Sequence, residues 1–155
     1  MVENFDPDLV NPASLDLRLG SGIMIECIYK KEHIRVDISD TTEDNPFLVQ
    51  PGDFLLAETM EIFNLPEDVS AQFVLKSSRA RAGFNHMLAG WCDPGWHGST
   101  LTLELKNERQ HHALPIFPGM KIGQMVFHSM SNTPVASYAK TGHYNNHLTV
   151  MPSVA

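Results

Sequence analysis

Hydrophobic and polar residues alternate along several short stretches of this chain, and a period of two residues is typical of half-buried β-strands. The alternation, or an apolar run of strand length, marks seven segments: residues 15–19, 23–28, 34–38, 54–62, 69–75, 99–106 and 122–127. Each segment is shorter than an average helix, and several are rich in Val, Ile, Leu and Phe. The pattern therefore predicts many short strands.

Turn-forming residues separate these segments. Proline followed by glycine or acidic residues is typical of tight turns, because proline fixes φ and glycine tolerates positive φ. Four such signals are Gln50-Pro51-Gly52-Asp53, Leu65-Pro66-Glu67-Asp68, Asp93-Pro94-Gly95 and Phe117-Pro118-Gly119. Their spacing favours an all-β sandwich or barrel with little helix.

One segment, residues 76–83, departs from the β pattern. Serines that can cap a helix N-terminus, good helix formers and a following Gly83 predict a helix of about two turns. Ser77 and Arg81 are four residues apart and would share one helix face, beside Lys76 and the free N–H groups that favour an anion. A solvated surface turn explains the same residues equally well, so both interpretations stay open.

Length and composition indicate one globular domain over residues 1–155. Of these residues 43% are hydrophobic and 19% are charged, and no apolar run approaches the length of a membrane span. The net charge of −7 disfavours binding to nucleic acid but leaves room for a small anion. The first ten residues lack the basic and apolar regions of a secretory signal, so we expect a cytoplasmic protein.

The metal-binding residue types form no recognisable motif. Cys27 and Cys92 have no CxxC spacing, and the eight histidines form no zinc pattern. We therefore expect free cysteines and no metal ion held by a protein cluster.

Two acidic residues are candidates for chemistry. The period of two in segment 99–106 places Leu101, Leu103 and Leu105 on one face and Glu104 on the other. A strand glutamate is commonly an exposed surface residue, so its position alone does not decide its role. Asp93, between two tryptophans and two glycines, either caps its own turn or lies in a hairpin that contacts a planar ligand.

Four ordered motifs resemble those of the dCTP deaminase and trimeric dUTPase superfamily. They are Asn11-Pro12-Ala13-Ser14-Leu15-Asp16-Leu17-Arg18-Leu19-Gly20, Lys76-Ser77-Ser78 with Arg81 and Gly83, Ala89 to Gly98 leading into Leu103-Glu104-Leu105-Lys106-Asn107, and Pro118 to Gln124. The resemblance implies a mainly β fold, a distorted, jelly-roll-like, dUTPase-like β-barrel with one or two short helices. It also implies a homotrimer with active sites between subunits. The implied ligand is a deoxynucleoside triphosphate, dCTP or dUTP, with Mg²⁺ bound through the triphosphate.

Within the superfamily, Glu104 in its Leu-Glu-Leu context is similar to the deaminases. The resemblance implies that Glu104 shuttles protons, that Ser77 holds the attacking water or the C4 substituent, and that Arg81 positions Glu104 and the nucleotide. Deamination needs such a group, because water must lose a proton and ammonia must gain one. The H-x-E and P-C-x-x-C motifs of zinc deaminases are absent.

The segment Ala89-Gly90-Trp91-Cys92-Asp93 resembles the bifunctional deaminases that continue to dUMP and pyrophosphate. By this resemblance, Asp93 would orient or deprotonate the water that attacks the α-phosphorus. Asp16 matches a motif aspartate near the metal. The remaining implied nucleotide contacts are Lys76, Ser78 and Gln124 for the phosphates, and Ala89, Gly90, Trp91, Tyr138 and Tyr144.

The sequence therefore predicts an enzyme that deaminates dCTP and also hydrolyses the triphosphate to dUMP. Alternatives are a monofunctional deaminase that releases dUTP, a dUTPase or dCTP pyrophosphatase, and an inactive nucleotide-binding regulator. The joint presence of Ser77, Arg81, Asp93 and Glu104 argues against the regulator, because a binding module needs no proton shuttle.

Overall fold

The protein folds into β-strands with little helix, as a computed structural model that describes residues 1–154 shows. A 3₁₀ turn covers Pro7–Leu9, and the α-helices are α1 (Ser77–Ala82) and α2 (Tyr138–Thr141). The strands are β1 (Val2–Glu3), β2 (Val10–Asn11), β3 (Ser14–Cys27), β4 (Lys30–Asp37), β5 (Phe47–Val49), β6 (Phe54–Asn64), β7 (Val69–Leu75), β8 (Phe84–Asn85), β9 (Trp91–Cys92), β10 (His97–Asn107), β11 (Leu114–Ile116) and β12 (Lys121–Ser129). The expected mainly β class with one or two short helices is confirmed.

The strands pair antiparallel, and ten of them belong to one sheet that curls into a half-barrel. Its main path runs β8-β10-β6-β3-β12-β7-β9, with β1 added to β6 and with β2 and β4 added to β3. β5 and β11 form a separate two-stranded sheet. β9 and β10 follow each other in sequence, but β9 is the last strand of this path and β10 is the second, so the chain between them connects opposite sides of the sheet.

β3 connects the two halves of the sheet. Residues 15–18 pair with β12, whereas residues 19–25 pair with β6. The sequence predicts two strands here, at 15–19 and 23–28, but the structure has one strand of 14 residues. Between Leu19 and Ile23 the register with β6 shifts, so Gly20, Ser21 and Gly22 form a bulge that bends the strand without ending it.

The core lies inside the curl and is made of the inward-facing residues of the long strands. Residues exposed by 1% or less include Leu17, Leu19, Ile23, Leu55, Phe63, Phe73, Leu103, Leu105, Ile122 and Met125. Neither helix of the described residues is long and apolar enough to cross a bilayer.

The predicted Pro-Gly turns form as expected. Gly52, Gly95 and Gly119 have φ values of 84°, 86° and 84°, in the left-handed region that glycine tolerates. The helix at 76–83 also forms, and it ends at Gly83 with φ 120°. Its predicted serine cap is wrong: Lys76 occupies the N-cap position without a side-chain hydrogen bond, and Ser77 begins the helix.

Candidate active site

A cavity of about 660 Å³ lies between β9, residues 100–104 of β10 and the C-terminal segment, which comprises residues 138–153. Seven of the residues predicted from the sequence line it: Ala89, Gly90, Trp91, Asp93, Glu104, Tyr138 and Tyr144. Several lining residues were missed, among them His33, Phe54, Leu56, Thr100, Thr102 and Met151. They come from strands or tail positions with no motif, so only the three-dimensional fold brings them to the cavity.

Glu104 is the most unusual group in this cavity. On β10 its neighbours Leu103 and Leu105 are buried in the core, so Glu104 points to the opposite face. Its Oε2 atom is buried and has no hydrogen-bond partner among the described residues. Burial raises the pKa of Glu104, which a hydrogen bond from its own backbone only partly offsets. A carboxyl that holds a proton more readily than usual suits general acid–base chemistry.

Asp93 and Trp91 lie on the turn at the rim of the cavity. Asp93 is exposed, and its Oδ1 accepts a hydrogen bond of 3.0 Å from Trp91 Nε1. The indole is 60% exposed and stacks on His128, with ring centroids 6.0 Å apart. The turn thus presents a carboxylate and an aromatic face towards solvent at the cavity mouth.

Gly90 and Ala89 bring backbone to the cavity wall. Gly90 is buried, its carbonyl accepts a 2.7 Å hydrogen bond from the Phe73 backbone, and a Cβ at Gly90 would lie 2.5 Å from the Phe73 carbonyl oxygen. The main chain therefore approaches β7 too closely for any side chain at this position.

Cys92 is buried beside the two acids. Burial raises the pKa of its thiol to about 12, and the negative charges of Asp93 and Glu104 add to this effect. The thiol is therefore neutral at physiological pH and is a poor nucleophile. Cys27 is half-buried, and both cysteines are free, as the sequence predicts.

The C-terminal segment forms one wall of the cavity. Trp96 Nε1 donates to the Tyr144 carbonyl at 2.8 Å, and the Thr100 N–H donates to the His147 carbonyl at 3.0 Å. Ser137 caps α2 by accepting a hydrogen bond from the backbone N–H of Ala139. These contacts hold Tyr138 and Tyr144 against the cavity.

The other predicted residues lie elsewhere in the chain. α1 carries Ser77, Ser78 and Arg81, Lys76 directly precedes it, and β12 carries Gln124. None of these five residues lines the Glu104 cavity. Ser77, Ser78 and Arg81 are exposed, and their side chains make no hydrogen bond or ion pair within residues 1–154. The side chain of Lys76, which directly precedes α1, is hydrogen-bonded to Asp16.

Asp16 is the centre of this second group. It is 4% exposed, and its Oδ1 accepts hydrogen bonds from Lys76 Nζ at 2.6 Å, Asn11 Nδ2 at 2.8 Å and Gln124 Nε2 at 3.3 Å. Lys121 Nζ lies 3.5 Å from Oδ2. Burial alone would raise the pKa of Asp16, but these hydrogen bonds and the Lys76 charge hold it below its usual value. Asp16 thus orients the cations of this group.

The donor groups do not fit a divalent cation held by protein side chains alone. Residues 1–154 contain no cluster of three His, Cys, Asp or Glu side chains placed to ligate a metal. The carboxylate of Asp16 is already engaged by lysines and amides, and Asp93 is a single exposed carboxylate. A Mg²⁺ ion would therefore need the oxygens of a bound triphosphate as its main ligands.

The half-barrel fold is shared with nucleotide-metabolising enzymes of known structure. EIAV dUTPase superposes with a TM-score of 0.56 at 16% identity, over 88% of this chain and 95% of that chain. The 2'-deoxycytidine 5'-triphosphate deaminase of Agrobacterium tumefaciens gives a TM-score of 0.64 at 24% identity, over 81% of this chain and 42% of that chain. At these identities the likeness establishes the fold alone.

Sequence similarity goes further and establishes the family. The chain belongs to the dCTP deaminase-like family, whose model matches residues 1–130. A "dCTP deaminase, dUMP-forming" of a Nocardioides species is 40% identical over 142 residues, which cover 84% of this chain and 72% of that protein. The superfamily resemblance seen in the sequence motifs is thus confirmed.

Proposed function

We propose that the protein deaminates dCTP and hydrolyses the triphosphate, giving dUMP, ammonia and pyrophosphate. The observation that carries the proposal is the buried, unpartnered Oε2 atom of Glu104 in the cavity. A buried carboxyl oxygen without a partner is costly in a folded protein, so a ligand or reacting water is its natural partner. The relative that is 40% identical over 142 residues is named for the same overall reaction.

In the first step, dCTP and water give dUTP and ammonia. Glu104 accepts a proton from the water as its oxygen bonds to C4 of cytosine, and it delivers that proton to N3. The same carboxylate then accepts the hydroxyl proton of the tetrahedral intermediate and passes it to the departing amino group, so that the C4–N bond breaks and ammonia leaves. One carboxyl with a raised pKa can serve in both directions.

In the second step, dUTP and water give dUMP and pyrophosphate. We assign Asp93 to orient the water that attacks the α-phosphorus, because its carboxylate is exposed at the cavity mouth. A Mg²⁺ ion bound through the triphosphate would neutralise the charge that develops on the phosphate oxygens. Lys76, Ser78 and Gln124 would contact the phosphates, with Asp16 holding Lys76 and Gln124 in place.

We further propose a homotrimer in which each site combines two subunits. Ser77 and Arg81 are needed near the cytosine in this mechanism, yet within one chain they lie outside the Glu104 cavity. A neighbouring subunit would supply them. Large apolar side chains that such an interface could cover are abundant, including Ile28, Tyr29 and Leu88, each 87% exposed.

Incubation of the purified protein with dCTP and Mg²⁺, followed by separation of products, tests the proposal. We expect dUMP, ammonia and pyrophosphate in equal amounts, with little free dUTP. Accumulation of dUTP without pyrophosphate would reject the second step. Formation of dCMP without ammonia would reject deamination, and binding without turnover would indicate a regulator.

A further inference from the structure

The C-terminal segment returns across the face of β6 and β10 that carries Glu104. The His147 N–H donates to Ser99 Oγ at 3.1 Å, and the Met151 N–H donates to Thr102 Oγ1 at 3.2 Å. Thr102 is two residues from Glu104 on the same face of β10, about 7 Å along the strand. The tail therefore passes directly beside the proposed proton shuttle, and Met151, Pro152 and Ser153 line its cavity.

Val150 is the anchor of this tail. It is fully buried, whereas Leu148, two residues earlier, is 60% exposed. Its side chain packs with Met24 and Leu56, and both its backbone N–H and its carbonyl are hydrogen-bonded to side chains. The N–H donates to Glu58 Oε2 at 2.6 Å, and the carbonyl accepts a hydrogen bond from Arg35 Nη2 at 2.8 Å.

Glu58 is placed for this contact by the bulge in β3. Its other oxygen, Oε1, accepts a 3.0 Å hydrogen bond from the Gly22 N–H. A Cβ atom at Gly22 would lie 2.7 Å from both carboxylate oxygens, and one at Gly20 would lie 2.7 Å from Glu58 Cγ. The bulge thus leaves room for the carboxylate only because these residues are glycines. Glu58 on β6 is the cross-strand partner of Thr102 on β10. Their side chains bind the backbone N–H groups of the consecutive tail residues Val150 and Met151.

We propose that Glu58 is a positioning residue for the nucleotide site: together with Arg35 it seats Val150 and so holds the tail as a wall of the Glu104 cavity. The inference rests on the proposed function for the identity of the nucleotide. The contacts that Glu58 makes in the ligand-free protein do not depend on the proposed function. A carboxylate is required because both of its partners are N–H donors. An amide at this position has one oxygen that can accept and one NH₂ group that can only donate. It can therefore accept only one of the two hydrogen bonds, and its NH₂ group would face the other N–H donor.

Trp96 provides a reporter of the tail in the ligand-free protein. It is 6% exposed and hydrogen-bonds to the Tyr144 carbonyl, so release of the tail exposes its indole. In a Trp91→Phe background, which leaves Trp96 as the sole tryptophan, we expect Glu58→Gln and Val150→Ala to shift its emission to the red. Hydrogen exchange of residues 143–154 should accelerate in the same variants. Glu26→Gln, an equal charge change at an exposed position of β3, is the matched control and should do neither.

Steady-state kinetics without the Trp91 change then tests the link to the site. We expect Glu58→Gln to raise KM for dCTP by roughly tenfold with kcat changed much less, since the tail wall contacts ground and transition state alike. Val150→Ala should give a similar rise, and the double variant should be no worse than either single variant, because both act through one contact. Glu26→Gln should match the wild type.

The outcomes separate this inference from the proposed function. If the wild type does not convert dCTP, the proposed function fails, and the reporter and exchange data alone decide whether Glu58 seats the tail. Unchanged emission and exchange in Glu58→Gln would overturn the inference. A released tail with wild-type KM would also overturn it, as would additive effects in the double variant.

Discussion

At the scale of single residues, Glu104 shows how a strand position becomes reactive. Alternation along β10 turns it away from the buried leucines, and burial without a partner for Oε2 raises its pKa. A surface glutamate would instead be solvated and keep its proton only in acid. The environment, rather than the residue type, makes this carboxyl suited to move protons at neutral pH.

Glu104→Gln should abolish deamination while leaving dCTP binding nearly intact. The amide keeps the shape of the side chain but cannot relay a proton, so kcat should fall by roughly 10²-fold or more. Ammonia release under saturating dCTP measures the effect, and calorimetric titration with dCTP measures binding. Near wild-type ammonia release would show that Glu104 is only a strand residue.

The same substitution should stabilise the ligand-free protein in a pH-dependent way. Because burial raises the pKa of Glu104 above its ordinary value of 4.5, the folded protein holds this proton to a higher pH than the unfolded chain does. The stability that the protonated carboxyl contributes is therefore lost as the pH rises from the pKa of Glu104 in the unfolded chain to its higher pKa in the folded protein. The difference in Tm between Glu104→Gln and wild type should grow in favour of the variant across this window. It should level off above the window, and a constant difference from about pH 4 to pH 8 would contradict the pKa shift.

Asp93→Asn should slow both reactions, with phosphate hydrolysis slowed more. The amide still accepts the hydrogen bond from Trp91 Nε1, so the turn keeps its shape. It loses the negative charge that orients and activates water. Separate assays of ammonia and pyrophosphate measure the two rates. An equal fall in both rates would mean that Asp93 serves substrate binding rather than the second step.

Sequence reasoning at this scale identified the chemistry-bearing residues better than their contacts. Glu104 and Asp93 lie at the cavity, as the motifs indicated. Lys76 directly precedes α1, but its pairing with Asp16, 60 positions away in sequence, has no signature in the sequence. Glu58 was missed because a strand glutamate opposite two glycines has no sequence signature until the strands are paired.

At the scale of elements, local signals predicted turns and strands well because their causes are local. Proline and glycine fix a tight turn within four residues, and a period of two fixes the faces of a strand. The bulge in β3 was not predictable in this way. Gly20-Ser21-Gly22 would usually indicate the end of a strand, yet hydrogen bonding across the bulge, including the Glu58 carboxylate, keeps β3 continuous.

The turn at Gly95 is expected to hold the start of α2, and a matched pair of substitutions tests this. Gly95 and Gly119 have nearly equal φ values, 86° and 84°. A Cβ at Gly95 would collide with Ser137 Oγ, the cap of α2, whereas nothing lies within 4 Å of a Cβ at Gly119. Gly119→Ala should therefore cost only the backbone strain of about 1–2 kcal/mol.

Gly95→Ala should cost clearly more than Gly119→Ala and should also displace α2. Urea denaturation compares the two free energies of unfolding, and the emission of Trp96, measured in the Trp91→Phe background, reports whether the tail remains in place. KM for dCTP should rise only in Gly95→Ala, because Tyr138 on α2 lines the cavity. Equal losses of stability in both variants would show that the turn and the helix are not coupled.

At the scale of the whole molecule, the predicted site residues form two groups within one chain. One group surrounds Glu104, and the other surrounds Asp16 and α1. The family resemblance implies sites between subunits, but periodicity and residue spacing alone do not indicate this separation, because it depends on how the curled sheet places β9 and β10 relative to α1. In the proposed trimer, one group of each subunit would meet the other group of its neighbour.

Mixing two inactive variants should restore activity if each site combines two subunits. Glu104→Gln retains Arg81, and Arg81→Ala retains Glu104, so a site with Arg81 from the first and Glu104 from the second is intact. Random assortment at equal amounts makes about one quarter of the sites intact, and activity should return to about that fraction after co-refolding or co-expression. Each variant alone, and a mixture kept from exchanging subunits, should stay inactive. If the mixture remains inactive although mass spectrometry shows mixed trimers, Arg81 and Glu104 of one chain must serve the same site. Light scattering that shows an active monomer would exclude the trimer itself.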